Sequence, residues 1–304
     1  MAALPTKVIV NPVAGANSTH RKWARISQIL QHIGLHFDYE FTEGAGHAVE
    51  IARAAACDGY KNIVAVGGDG TVNEVANGIL STVNPGDISL GIISTGTGSD
   101  FIRSVGIPRD YDSACASLTG QRRVVVDVGV VEYQSDGQRL QRFFVNGAGV
   151  GFDAAVVAAT SRFPKYFGGT IPYLGGLFRS LLSYRNKPVE LRTEDGVESA
   201  RVLTVVVANG SYFGGGMYVA PQARLDDGLL DVLTIGDFGK LELLKCLSMV
   251  YKGTHIGHPK VSLSKARSVT IESAETVFVH ADGELPGTCP ASFRLLPAAL
   301  NIMV

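Results

Sequence analysis

Three glycines, an acid and a hydroxyl close an apolar run in Val64-Ala65-Val66-Gly67-Gly68-Asp69-Gly70-Thr71-Val72-Asn73-Glu74, and a helical pattern opens directly behind them. A turn of this kind brings bare backbone N–H groups against phosphate oxygens at a helix N-terminus, where the helix dipole also favours negative charge. Glycine permits the close approach, whereas the Asp69 carboxylate by itself repels phosphate. Its presence predicts a magnesium ion or a water between the two. The spacing is neither that of the P-loop, Gly-x-x-x-x-Gly-Lys-Ser/Thr, nor that of the Gly-x-Gly-x-x-Gly dinucleotide fingerprint. Taken alone, the run reads equally as a plain strand-to-helix turn.

Two further loops follow strands in the same way. Lys7-Val8-Ile9-Val10 runs into Asn11-Pro12-Val13-Ala14-Gly15, and Ser89-Leu90-Gly91-Ile92-Ile93 runs into Ser94-Thr95-Gly96-Thr97-Gly98-Ser99-Asp100. Ligands of open α/β sheets sit beyond the carboxyl ends of the strands, so three such loops predict one nucleotide crevice. The elements that must position them alternate. Trp23, Ile26, Leu30 and Ile33 recur at helical spacing, residues 36–41 read as a strand and 48–56 as a helix. Right-handed crossovers between successive strands then imply a parallel sheet. Past Arg122 the texture changes to Val-rich runs at 124–131, 143–146, 189–193, 202–208, 229–235, 268–272 and 276–280, which predict an antiparallel sandwich or barrel. The fold class is therefore an N-terminal α/β parallel-sheet domain followed by a β-rich domain.

Other motifs carry weaker signals. In Val279-His280-Ala281-Asp282-Gly283-Glu284 strand alternation ends at a glycine that can aim two carboxylates into a cleft, although Asp-Gly in isolation is a hairpin turn. Asp226-Asp227-Gly228 is likewise a turn by composition. Asn146-Gly147-Ala148-Gly149-Val150-Gly151-Phe152 looks like a dinucleotide loop, but its Gly-x-Gly-x-Gly spacing argues for close backbone packing near the substrate. Residues 162–179 mix aromatics, glycine pairs and cations, a composition shared by amphipathic lids that touch a bilayer surface and by plain core helices. His255 and His258 read as loop histidines, and Cys57, Cys115, Cys246 and Cys289 as buried free thiols with no Cys-x-x-Cys pair.

These residues together resemble the catalytic domain of diacylglycerol kinases, in particular the soluble bacterial lipid kinases, with sphingosine kinases as relatives. The likeness rests on Asn11-Pro12 with Gly15, Thr42, Gly67 to Glu74, Gly96-Thr97-Gly98 with Asp100, Ala220-Pro221, Leu225 to Asp231 and Asp282-Gly283-Glu284, and it spans nearly the whole chain. It implies an ATP-binding domain over residues 1–122, completed by strands at about 290–304 that return to it, a lipid-binding domain over 123–289, and an active cleft between them. By the same resemblance ATP contacts Asn11, Thr42, Gly67, Gly68, Asp69, Gly70, Thr71, Val72, Asn73 and Thr97. Asp282 is then the general base and Glu284 its partner. A structural magnesium is held by the Asp227 carboxylate and main-chain oxygens of Arg224 and Leu229, joined through water to Asp69 and Asp100, while a separate magnesium travels with ATP. One position departs from the family's Gly-Thr-x-Asn-Asp loop: Ser99 keeps a hydroxyl and loses the amide.

Composition agrees with that picture. At 304 residues the chain can bury a sizeable core, and its net charge of −1 gives no global basic field for nucleic acid. No apolar run reaches the roughly 18 residues of a membrane span, and residues 1–5 show no signal-peptide core, so a cytoplasmic protein is expected, with transient membrane-surface contact through residues 162–179. The resemblance leaves a homodimer open. Three function classes compete: an ATP-dependent lipid kinase, favoured by the full set of motifs; an NAD kinase-like enzyme for a soluble metabolite, which shares Gly-Gly-Asp-Gly-Thr; and a catalytically silent nucleotide- or lipid-binding regulator, against which Asp69, Asp227 and Asp282 speak.

Overall fold

The computed structural model describes residues 6–160, 180, 181 and 183–304, so the lid expectation at 162–179 lies outside the described residues. The chain forms two compact units, the first of Met1–Asp127 with Ala298–Val304 and the second of Val128–Pro297.

In the first unit β1 (Thr6–Val10), β2 (Phe37–Phe41), β3 (Asn62–Gly67) and β4 (Ser89–Ser94) alternate with helices α1 (Ala14–Asn17), α2 (Thr19–His32), α3 (His47–Cys57), α4 (Asp69–Leu80), α5 (Asp100–Val105) and α6 (Tyr111–Thr119). The strands lie in the order β2-β1-β3-β4, every pair parallel. The end of the last strand, β17 (Glu284–Met303), joins beside β4 in parallel, with Asn301 opposite Ser89 and Ile302 opposite Leu90. Trp23, Ile26 and Leu30 bury against Val8, Val10, Val64, Val66 and Ile93, with Ile33 packed at the margin. The α2 periodicity therefore encodes a core face. This doubly covered sheet leaves the glycine loops at one end of its strands, as a parallel topology requires.

The second unit holds β5 (Arg123–Ser135), which starts at the boundary, β6 (Gln138–Phe144), β7 (Gly147–Gly151), β8 (Lys187–Thr193), β9 (Gly196–Val202), β10 (Thr204–Ala208), the short pair β11 (Tyr212–Phe213) and β12 (Met217–Tyr218), β13 (Leu230–Ile235), β14 (Val261–Ala266), β15 (Ser268–Glu272) and β16 (Phe278–Ala281). In this unit β7, β10, β13, β14, β15, β16 and β17 pair antiparallel, as do β5 with β6 and β8 with β9. The main path runs β14-β13-β10-β7-β16-β17. Helices α7 (Phe152–Thr160) and α8 (Lys240–Val250) pack on one face with Val206, Leu233 and Ile235, while Val150, Val207, Val232, Val279 and Phe293 fill the other. The segment 147–151, which resembles a dinucleotide loop in sequence, is a central strand. Its alternation puts Ala148 and Val150 into one core and turns its three glycines to the opposite face.

His255 is fully buried, its Nε2 bonded to the Val219 carbonyl at 2.9 Å, whereas the His258 Nδ1 accepts from the Lys260 amide in a loop. Burial pushes the Cys115 thiol up to about 11 and that of Cys289 up to about 12. Cys57 corrects the uniform expectation of buried thiols, because the last turn of α3 leaves it exposed.

Candidate active site

The three loops of the first unit are built into one another. The Asn11 amide group donates to Thr71 Oγ1 at 2.9 Å, tying the end of β1 to the first turn of α4. The Thr95 amide donates to the Gly67 carbonyl at 2.8 Å, tying the β4 loop to the end of β3. Gly15 is left-handed at φ 58°, and a Cβ there would stand 2.2 Å from the Thr95 carbonyl oxygen. Gly68, the residue before α4, leaves the backbone bare where the helix begins, and the amides of Asp69, Gly70 and Thr71 have no partner one turn back. The helix start is thus an anion cradle by construction.

Within that cradle the expected residues divide. Thr97 is exposed on the β4 loop and Thr42, almost buried, follows β2 with its amide on the Val10 carbonyl at 2.9 Å. Val72 and Asn73 are buried, and the Val72 amide is spent on the Gly68 carbonyl. The Asp69 carboxylate has a partner that the sequence reading missed: its Oδ1 accepts from the amides of Asp100 and Phe101 at 2.9 and 3.2 Å, capping α5. Ser99 takes φ 56°, a left-handed value at which asparagine is better tolerated, and its hydroxyl lies 2.7 Å from that of Ser94. Lys22, on α2, was also missed; its ammonium donates to the Thr95 carbonyl at 3.3 Å and brings a positive charge to the loops. No pattern in the sequence distinguishes Lys22 from the other cations of that helix face.

In the second unit Asp282 lies at φ 47° on the turn after β16. Its Oδ1 accepts from the amides of Asn146 and Gly147 at 3.0 and 2.8 Å, and its Oδ2 from that of Val145 at 2.7 Å. The Asp282 amide in turn donates to the Gly147 carbonyl at 2.8 Å. The carboxylate is fixed by the strand that follows it in space, not by its neighbours in sequence. Glu284 is ion-paired with Arg142 at 2.6 Å. Asn209 reinforces the same segment, its side chain donating to the Val145 carbonyl at 2.8 Å.

The expected magnesium set finds a different cation. Asp227 Oδ1 accepts from the Leu229 amide at 3.1 Å, and its Oδ2 lies 2.7 Å from the Lys265 ammonium, which also reaches Asp231 Oδ2 at 3.1 Å. Lys265 stands directly opposite Asp231 in the β13–β14 register. Burial raises the Asp231 carboxyl above its ordinary value, against the pull of Lys265. Burial pulls the ammonium down, but its bonds to Asp227 and Asp231 outweigh that and raise it overall. Arg224 pairs with Asp226. Among the described residues no three acids, histidines or cysteines group as metal ligands, and the magnesium set implied by the resemblance has one carboxylate, that of Asp227, beside main-chain oxygens of Arg224 and Leu229.

A parallel-sheet unit with a three-loop anion cradle is joined in one chain to an antiparallel unit bearing an anchored Asp-Gly-Glu turn, and the relatives that share this chain's sequence are lipid kinases. Residues 5–131 match the diacylglycerol kinase catalytic domain, and residues 146–304 the YegS C-terminal NAD kinase beta sandwich-like domain. The diacylglycerol kinase of Staphylococcus carnosus is 30% identical over 296 residues, 97% of this chain and 94% of that protein. The diacylglycerol kinase of Bacillus subtilis is 30% identical over 301 residues, 98% and 95% of the two chains. A crystal structure from Bacillus anthracis str. Sterne that carries the diacylglycerol kinase name superposes with a TM-score of 0.81 at 25% identity, covering 99% of this chain and 95% of that one. Yeast NADH kinase, complexed with NADH, shares the fold alone at 9% identity and a TM-score of 0.51, covering 98% and 82% of the two chains. The chain belongs to the diacylglycerol kinase family.

Proposed function

We propose that this enzyme transfers the γ-phosphoryl group of ATP to the hydroxyl of diacylglycerol or a related lipid taken from a membrane surface. The observation that supports it most is the anchoring of Asp282: a carboxylate gripped by three backbone amides keeps one orientation through a catalytic cycle. The ATP phosphates lie over the start of α4, where the amides of Asp69, Gly70 and Thr71 face them, with Gly67, Gly68 and Thr97 close by and Asn11 holding Thr71 in place. Thr42 lines the nucleotide, while Val72 and Asn73 support the loop from behind. Lys22 adds charge beside the β4 loop. Magnesium accompanying ATP would supply charge neutralisation for the developing phosphate charge, and phosphoryl transfer otherwise depends on positioning.

Asp282 accepts the proton of the attacking lipid hydroxyl. Glu284, held by Arg142, keeps the second carboxylate on the same turn. At Asp227 we assign the cation to Lys265, and no step of the reaction passes through a metal there.

The test is transfer of labelled phosphate from ATP to a panel of diacylglycerols, monoacylglycerols and sphingoid bases in mixed micelles, with NAD as a soluble control. Label in a lipid, diacylglycerol foremost, is expected. Label in NAD alone selects the metabolite-kinase reading, and no transfer to any acceptor selects the silent regulator.

A further inference from the structure

The Gly147-Ala148-Gly149-Val150-Gly151 strand leaves a bare backbone face, and what covers that face at its middle is a hydrogen-bonded couple. His280 lies opposite Gly149 in the β16–β7 register, and its Nε2 is 2.9 Å from Oδ2 of Asp153, in the first turn of α7. A Cβ on Gly149 would stand 2.4 Å from that Oδ2, 2.8 Å from the Val205 carbonyl oxygen and 3.2 Å from the His280 Nε2, so the glycine makes room both for the pair and for the close approach of β10. The carboxylate can only accept, so the imidazole proton sits on Nε2. His280 is 8% exposed, and its Nδ1 is buried with no hydrogen-bond partner, so the Asp153 bond is the contact that orients the ring.

The place of this pair along β16 gives it a task. On its other side β16 pairs with β17, where Val279 is opposite Gly287 and Ala281 opposite Glu284, with a register shift between them. His280 stands at that shift, and Pro286, which lies between Glu284 and Gly287 on β17, has no N–H to offer. Register irregularities of this type recur beside active sites, where they aim side chains. Two residues later comes Asp282, whose carboxylate clamps the amides of Val145, Asn146 and Gly147. The turn 282–284 is therefore fixed at one end by Asp282 itself and, where ladder pairing slips, by the bond from β16 to α7.

We propose that Asp153 and His280 are positioning residues for the Asp282-Gly283-Glu284 turn, acting on turnover through the placement of both carboxylates. The inference rests on the reading of Asp282 as the base. Three variants test it: His280→Val removes the bond, His280→Gln keeps an N–H donor for Asp153, and Gly149→Ala closes the space in which the pair meets. Each is assayed for kcat, for KM of ATP and of lipid, and by hydrogen–deuterium exchange at the amides of residues 145–147, with α8 as an internal reference. His280→Val and Gly149→Ala should lower kcat by about 10- to 100-fold, the range expected when a catalytic group is displaced by about 1 Å, with KM for ATP unchanged. Exchange at 145–147 should quicken in both while α8 stays as in the parent, and His280→Gln should restore most of kcat and of the protection. Unaltered exchange at 145–147 in His280→Val overturns the proposal, as does a kcat equal to the parent's, or a Gln variant as impaired as Val. A parent that phosphorylates no lipid removes the base assignment instead, and the exchange measurement then decides by itself whether the pair holds the turn.

Discussion

A methyl group on Gly96 would stand 2.6 Å from the Cα of Gly68, backbone against backbone, whereas one on Gly68 meets Gly96 only at an ordinary 3.5 Å. The two glycines are thus unequal although they touch. Gly96→Ala should destabilise the first unit by about 1–3 kcal/mol, as overpacking does, and raise KM for ATP; Gly68→Ala should leave the melting temperature near the parent's. Thermal unfolding and ATP titration of both variants check the difference. Asp282→Asn is a harsher change than its shape suggests, because an amide NH2 group would replace one of two oxygens that face backbone donors. General-base loss typically costs roughly 10²- to 10⁴-fold in rate, so kcat should fall within that range with ATP affinity retained. A folded Asp282→Asn enzyme with parental kcat would transfer the base role elsewhere.

The elements of the first unit were legible because each follows a local rule. The α2 face of Trp23, Ile26 and Leu30 has helical period, and each loop follows a strand directly. What could not be read is long-range: the Asp69 cap on α5 spans 31 residues, and the Asp282 bond to Gly147 spans 135. The strand 147–151 resembles a glycine loop in sequence, because glycine is a poor strand former, and only its neighbours explain why it is tolerated. His255 shows the same limit. It sits in a short turn, Thr254–Gly257, that spacing marks as a surface loop, yet the element is folded inward. Burial lowers its folded-state value below the ordinary one. The unfolded chain then binds the extra proton first, so stability is full above about pH 6.5 and is lost as pH falls through the window beneath it. Melting temperatures from pH 8 to pH 5 should fall less steeply for His255→Gln than for the parent.

At the scale of the molecule, the chain leaves the first unit at Asp127 and re-enters it at Ala298, whose amide donates to Asp127 Oδ1 at 2.7 Å. The second unit carries its own cation, so its stability should not depend on magnesium: in the absence of nucleotide the melting temperature should be the same in EDTA and in magnesium buffer, and Lys265→Met should lower it by leaving Asp227 and Asp231 facing each other uncompensated. A magnesium-dependent rise that disappears in Asp227→Ala would restore a metal to that place. The returning segment has the larger consequence. Leu300, Ile302 and Met303 are buried, and Ile302 extends the parallel sheet beside Leu90 of β4, the strand whose end carries the Thr95–Asp100 loop. Truncating one buried aliphatic side chain typically costs about 2–5 kcal/mol, and a domain has roughly 5–15 kcal/mol in all. Deleting residues 298–304 removes three such side chains and the end of β17 that pairs with β4, so the first unit should unfold and ATP binding should vanish although every loop residue is still present. Ile302→Ala is the graded form of the same test: a lowered melting temperature with ATP bound normally below it. A deletion variant that binds ATP like the parent would show that the first unit closes its sheet without the C-terminal strand.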